Sequence, residues 1–92
     1  MLSNNLSVGQ VVKATSGKEK DKLFFIIKIV DHQYVLIADG KKRKLGKPKL
    51  KKVKHLEIYN VINNKVNNKI SSEHNVTDVF LRVELTKLND LV

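Results

Sequence analysis

The side chains of this chain that could do chemistry are its lysines. Nine of the eighteen Lys and Arg lie between Lys41 and Lys54, and no acidic residue interrupts them. They are Lys41, Lys42, Arg43, Lys44, Lys47, Lys49, Lys51, Lys52 and Lys54, with His55 directly after. Cations at this density attract a polyanion, and nucleic acid is the polyanion a small protein most often meets. Leu45, Leu50 and Val53 punctuate the run, and Leu56 and Ile58 follow it. A disordered basic tail lacks such anchors, so the stretch reads as a surface that is cationic outside and pinned to a core inside. Lysine favours contacts that hold position on phosphates over contacts that read bases. Arg43 alone in the run can make a bidentate or stacking contact. An ordinary solvated face is the plain alternative, but solubility does not require clustering.

Other chemistries find little support. There is no nucleophile–base pair, no paired carboxylate and no glycine-rich phosphate loop, and Gly17-Lys18 lacks the rest of a P-loop. With no cysteine, neither a disulfide nor a thiolate metal site can form. His32, His55 and His74 are scattered, so no metal and no cofactor is expected. A non-enzymatic protein follows. Among the aromatics, Phe25 is expected in the core, and Tyr34 and Tyr59 are the candidates for stacking on bases. His55 is expected either to face the nucleic acid or to pack at a strand edge.

Ninety-two residues allow one domain with a modest core. The net charge is +9, all of it from residues 1–60, which carry fourteen Lys and Arg against five Asp and Glu. Residues 61–92 carry four of each. The longest apolar run, residues 23–30, is too short to span a membrane, which takes about twenty residues. The first residues lack the basic flank and apolar middle of a signal peptide. A cytoplasmic location without a membrane partner is expected.

The elements that would position the lysines are short. Residues 10–15 read as a first strand with Val12 and Ala14 inward, and 16–22 as a polar loop carrying Lys18, Lys20 and Lys22. Residues 23–30 are apolar on both faces and read as the central strand, and 34–38 as the next. Asp39-Gly40 predicts a type I′ hairpin, with 41–45 pairing back as a basic strand that Pro48 ends. Residues 49–53 are then a basic connection and 54–59 the last strand. Five short strands with tight links favour a small bent barrel. Asparagines mark 61–74 as a polar linker, although Val61, Ile62, Val66 and Ile70 could form a weak helical stripe. From Thr77, a capping residue, Leu81, Leu85, Leu88 and Val92 recur at helical spacing, with Val79, Phe80 and Val83 widening the stripe. That helix should dock on the barrel or on a partner.

Gly9-Gln10-Val11-Val12, leading to Ser16 through Ile26, resembles a KOW motif: a strand, a basic loop and a second strand. Residues 35–40, Arg43-Lys44-Leu45, Lys47-Pro48-Lys49 and Lys54-His55-Leu56 resemble the bacterial KOW-containing RNA-binding proteins. Those are small relatives of a KOW-type large-subunit ribosomal protein family of archaea and eukaryotes. The resemblance covers roughly residues 8–58. It implies an SH3-like barrel that binds RNA, ribosomal RNA first, without catalysis. One departure is Asp21, where the motif usually has glycine. Aspartate tolerates the left-handed region better than most residues, so the turn should survive.

The expectation is therefore a mostly β protein: a five-stranded SH3-like (KOW) barrel over residues 1–60, a linker over 61–74 and a C-terminal helix over 75–92. The RNA would lie on Lys18, Lys20 and Lys22 and on the run from Lys41 to His55, with ribosomal or other translation proteins as further partners. The rival expectation is a protein-interaction adaptor whose barrel or helix docks an acidic partner through Leu81, Leu85 and Leu88. Electrostatics alone does not separate RNA from DNA.

Overall fold

A computed structural model of the chain describes residues 5–72 and 76–88. Five antiparallel strands form one sheet in the order β4-β3-β2-β1-β5: β1 Gln10–Ala14, β2 Leu23–Ile29, β3 Tyr34–Ala38, β4 Lys49–Lys52 and β5 Leu56–Ile62. The apolar run expected at the centre is there. β2 pairs with β1 (Val12 opposite Phe24) and with β3 (Ile26 opposite Ile37). β5 returns to the free side of β1, with Ala14 opposite Leu56. A single 3-10 turn, Val53–His55, links β4 to β5. The ladders leave β4 and β5 as the two end strands, and none joins them.

Both faces of the sheet are covered. On one face Val12, Ala14, Phe24, Ile26, Val35, Ile37 and Leu56 form a buried cluster, with Leu6, Val53 and Ile58 packed against it. On the other, Val11, Phe25 and Ala38 pack against Val66, Leu81 and Leu85. Val11 is thus as fully buried as Val12. The alternation of β1 gave only one inward face because the second cover comes from Val66, Leu81 and Leu85, far away in sequence, which a two-residue period cannot reveal.

That cover is two helices. Of residues 61–74, expected as a linker, 61 and 62 continue β5 and Asn64–Ser71 form α1, while 73 and 74 lie outside the described residues. The asparagines are capping and tethering groups. Asn63 Oδ1 accepts from the Val66 amide at 3.0 Å, which starts α1. Asn67 Nδ2 donates to the Val8 carbonyl at 2.8 Å, which fixes α1 beside β1. Val66 fills the core from this helix, as the weaker helical stripe allowed. α2, Asp78–Leu88, begins at the expected cap, where Thr77 Oγ1 accepts from the Phe80 amide at 3.1 Å. The expected helix positions 75 and 89–92, Val92 included, lie outside the described residues. Leu81 and Leu85 are buried and Leu88 packs beside them. Val79 and Val83 do not widen that stripe, because they lie on the outer side of α2 and are about half exposed. Glu84 is buried as well. It accepts from Asn63 Nδ2 at 2.8 Å and so joins the start of α1 to α2.

Candidate nucleic-acid interface

The basic run is built differently from a two-residue hairpin. A type I′ turn needs positive φ at both central residues. Gly40 has φ +78°, but Asp39 does not share it. Asp39 instead spends its carboxylate on the backbone: Oδ1 accepts from the amides of Lys41 and Arg43, each at 2.9 Å. Its own amide donates to the Arg43 carbonyl at 2.9 Å. Residues 40–47 therefore form a wider loop, and the basic strand is 49–52 rather than 41–45. Pro48 precedes β4 instead of ending a strand, a place where its missing N–H costs no ladder bond. β4 pairs with β3, Ile37 opposite Lys49 and Tyr34 opposite Lys52. An edge strand with three lysines in four residues also resists pairing with other chains.

α2 anchors this loop. Asp78 Oδ1 accepts from the Leu45 amide at 2.8 Å, and Arg82 donates to the Gly40 carbonyl at 2.6 Å. The C-terminal helix, expected to dock on the barrel or on a partner, thus holds the basic loop.

The loop of residues 16–22 meets this loop through a pair that sequence reasoning missed. Glu19 is buried and forms an ion pair with Arg43. Arg43 is half-buried, and its Nε is engaged by Glu19. Glu19 had no distinguishing signal except that it is the acidic residue between Lys18 and Lys20. The hydrogen bond from Arg43 holds the Glu19 carboxyl below its ordinary 4.5, against the opposing effect of burial. Lys51 Nζ donates to the Ser16 carbonyl at 3.3 Å and ties β4 to the same loop. Asp21 adopts φ +70°, so the turn survives in the left-handed region as its residue type allowed.

With the two loops braced, the cations separate into groups. Lys18 and Lys42 flank Glu19 and Arg43 around one shallow cleft. Lys22 and Lys41 border a second, which Asp21, Asp39 and Arg82 also line. The Lys42 ammonium beside Lys22 holds that lysine below its ordinary 10.5, as expected of two like charges pressed together. Lys20, Lys44 and Lys47 are exposed around these clefts, and Lys49 and Lys51 are half-buried on one side of β4. Lys52 and Lys54 belong to a third cleft, with His32, Gln33 and Val53. The His55 carbonyl accepts from the Thr15 amide at 3.0 Å, and the residue is half-buried at the end of the 3-10 turn, just before β5. Tyr34 and Tyr59, the stacking candidates, each lie under a lysine: Lys52 and Lys13, both with Nζ 5.8 Å from the ring centre. His74 lies outside the described residues.

The brace makes stability depend on pH. A carboxyl held below its ordinary value in the folded state stabilises the fold fully above that value, and the contribution is lost as pH falls through the folded pKa. Glu19 and Glu84 are both held down, Glu84 by Asn63 first and then by Lys87. Stability against urea should therefore fall as pH drops below about 4.5. Glu19→Gln and Glu84→Gln should each flatten part of that fall in chemical denaturation series.

Among the described residues no helix is long and apolar enough to cross a membrane, and no group of three His, Asp or Glu could hold a metal. No protein-family model matches the chain. A curated protein of Bacillus subtilis (strain 168), described as "Putative ribosome-binding protein YbzG", is 34% identical over 73 residues. The match spans 79% of this chain and 99% of that protein.

Proposed function

We propose, starting from the fact that this chain belongs to the same family as YbzG of Bacillus subtilis, that it associates with the ribosome as a non-catalytic RNA-binding protein. The observation that carries this reading is the brace between Glu19 and Arg43. It holds two lysine-bearing loops side by side, which concentrates their exposed ammonium groups on a surface suited to a polyanion. Lys18, Lys20 and Lys22 act from the KOW-type loop. Lys41, Lys42, Lys44 and Lys47 act from the neighbouring loop, and Lys49 and Lys51 from β4. Their partners are phosphates of folded ribosomal RNA, recognised by backbone spacing and shape. Bending of the sheet into an SH3-like barrel belongs to the same reading, as does work in the cytoplasm, where ribosomes are. In the rival adaptor reading, with the barrel or the helix docking an acidic partner, Leu81, Leu85 and Leu88 pack against the core, so the barrel surface is its route.

Binding of the chain to a fragment of ribosomal RNA tests this. If about six lysines each neutralise one phosphate, log affinity against log salt falls with a slope of about −4 to −5. A slope near zero, or no binding at low salt, would contradict the proposal.

A further inference from the structure

One cleft lies apart from the two braced loops and shares no residue with the clefts they line. It opens between the turn of residues 31–33 and the 3-10 turn Val53–His55, encloses about 410 Å³, and is lined by His32, Gln33, Lys52, Val53 and Lys54. A space of this size can take a nucleobase with its sugar.

Its walls are set before any ligand arrives. Asp31 Oδ1 accepts from the amides of Gln33 and Tyr34, each at 2.8 Å, which rigidifies the first wall. The Val53 amide donates to the Gln33 carbonyl at 2.8 Å and stitches the second wall to the first. The Val53 side chain packs against the buried cluster and supplies an apolar floor. Lys52, whose ammonium lies 5.8 Å from the Tyr34 ring centre, and Lys54 each bring a cation to the cleft. Gln33 is exposed and carries both a donor and an acceptor, the combination that reads a base edge.

A phosphate alone would use the two ammonium groups and the N–H donors of the carboxamide, and leave the apolar floor and the carboxamide oxygen idle. An unstacked nucleotide uses all three: base on Val53, base edge on Gln33, flanking phosphates on Lys52 and Lys54. Sequence-specific recognition of RNA usually takes such splayed-out nucleotides. We infer that this cleft binds one unstacked nucleotide of the RNA, giving the protein a base-reading contact apart from its phosphate-holding loops. The inference rests on the RNA-binding reading above.

The test is a titration of the full chain with each of the four ribonucleoside 5′-monophosphates and with inorganic phosphate, followed by amide NMR. At least one nucleotide should shift the amides of residues 31–34 and 52–55 saturably, and phosphate should not reproduce those shifts. Gln33→Ala with Lys54→Ala should weaken that nucleotide at least about tenfold. In RNA binding, Gln33→Ala should lower affinity without changing the salt slope, since it removes no charge. Shifts confined to residues 18–22 and 41–47, identical shifts from phosphate alone, or no shift from any nucleotide would overturn the inference. If the unaltered chain binds RNA while these results fail, only the cleft is wrong; if it binds no RNA, the functional reading fails first.

Discussion

Changing Lys18, Lys42, Lys44 and Lys47 together to Glu lowers affinity for ribosomal RNA by about a thousandfold or more at low salt. All four side chains are exposed and none takes part in an ion pair among the described residues, so the fold and its urea midpoint stay close to those of the parent. The loss comes from two sources. Four phosphate contacts disappear, and four carboxylates then repel the same backbone. The salt dependence gives the sharper readout. Each lost contact removes about 0.7–0.9 from the slope, so the log–log slope becomes shallower by about 3. Lys65→Glu, on α1 away from the braced loops, serves as the control and should leave the slope nearly unchanged. An equal loss per substitution in both variants would show that general charge, and not this surface, does the binding.

Gly40→Ala should be the most damaging single substitution in the loop. Gly40 has φ +78°, and a Cβ there would lie 2.2 Å from the carbonyl oxygen of Asp78. That oxygen belongs to the first residue of α2 and cannot rotate away as a side chain could. Relief requires α2 to move off the loop, breaking the bonds from Leu45 to Asp78 and from Arg82 to Gly40. Backbone strain and forced repacking together should cost roughly 2–5 kcal/mol, a large share of the stability of a domain this small. Gly46 offers the contrast, because a Cβ there meets nothing within 4 Å. Gly46→Ala should stay within about 0.5 kcal/mol of the parent. Urea denaturation of the two variants measures the difference. The Gly40 variant should also lose RNA affinity wherever it remains folded, because the loop it releases carries four of the proposed contacts.

Local signals served well where a single element determined the outcome. The length and β-branched content of residues 23–30 identified the central strand, and Thr77 with Leu81 and Leu85 identified α2 and its inner face. The turn at Asp21 followed from residue type alone. Errors arose where distant side chains decided the backbone. Asp39-Gly40 carries a hairpin signal, but Asp39 capping two amides and α2 seated on Gly40 open it into a wider loop. The asparagines around residue 63 look like linker composition until Glu84 from α2 closes on Asn63. The lysines of the candidate surface were visible from clustering. The Glu19–Arg43 pair that sets their geometry was not, because it joins residues 24 positions apart in sequence with no local pattern.

The most direct test is crosslinking of the tagged chain to RNA in its own cells, followed by sequencing of the attached fragments. The account predicts reads concentrated on one region of ribosomal RNA, and their loss in the Lys18, Lys42, Lys44 and Lys47 to Glu variant at equal protein abundance. Reads scattered over abundant transcripts, or a ribosomal peak that persists in that variant, would contradict it.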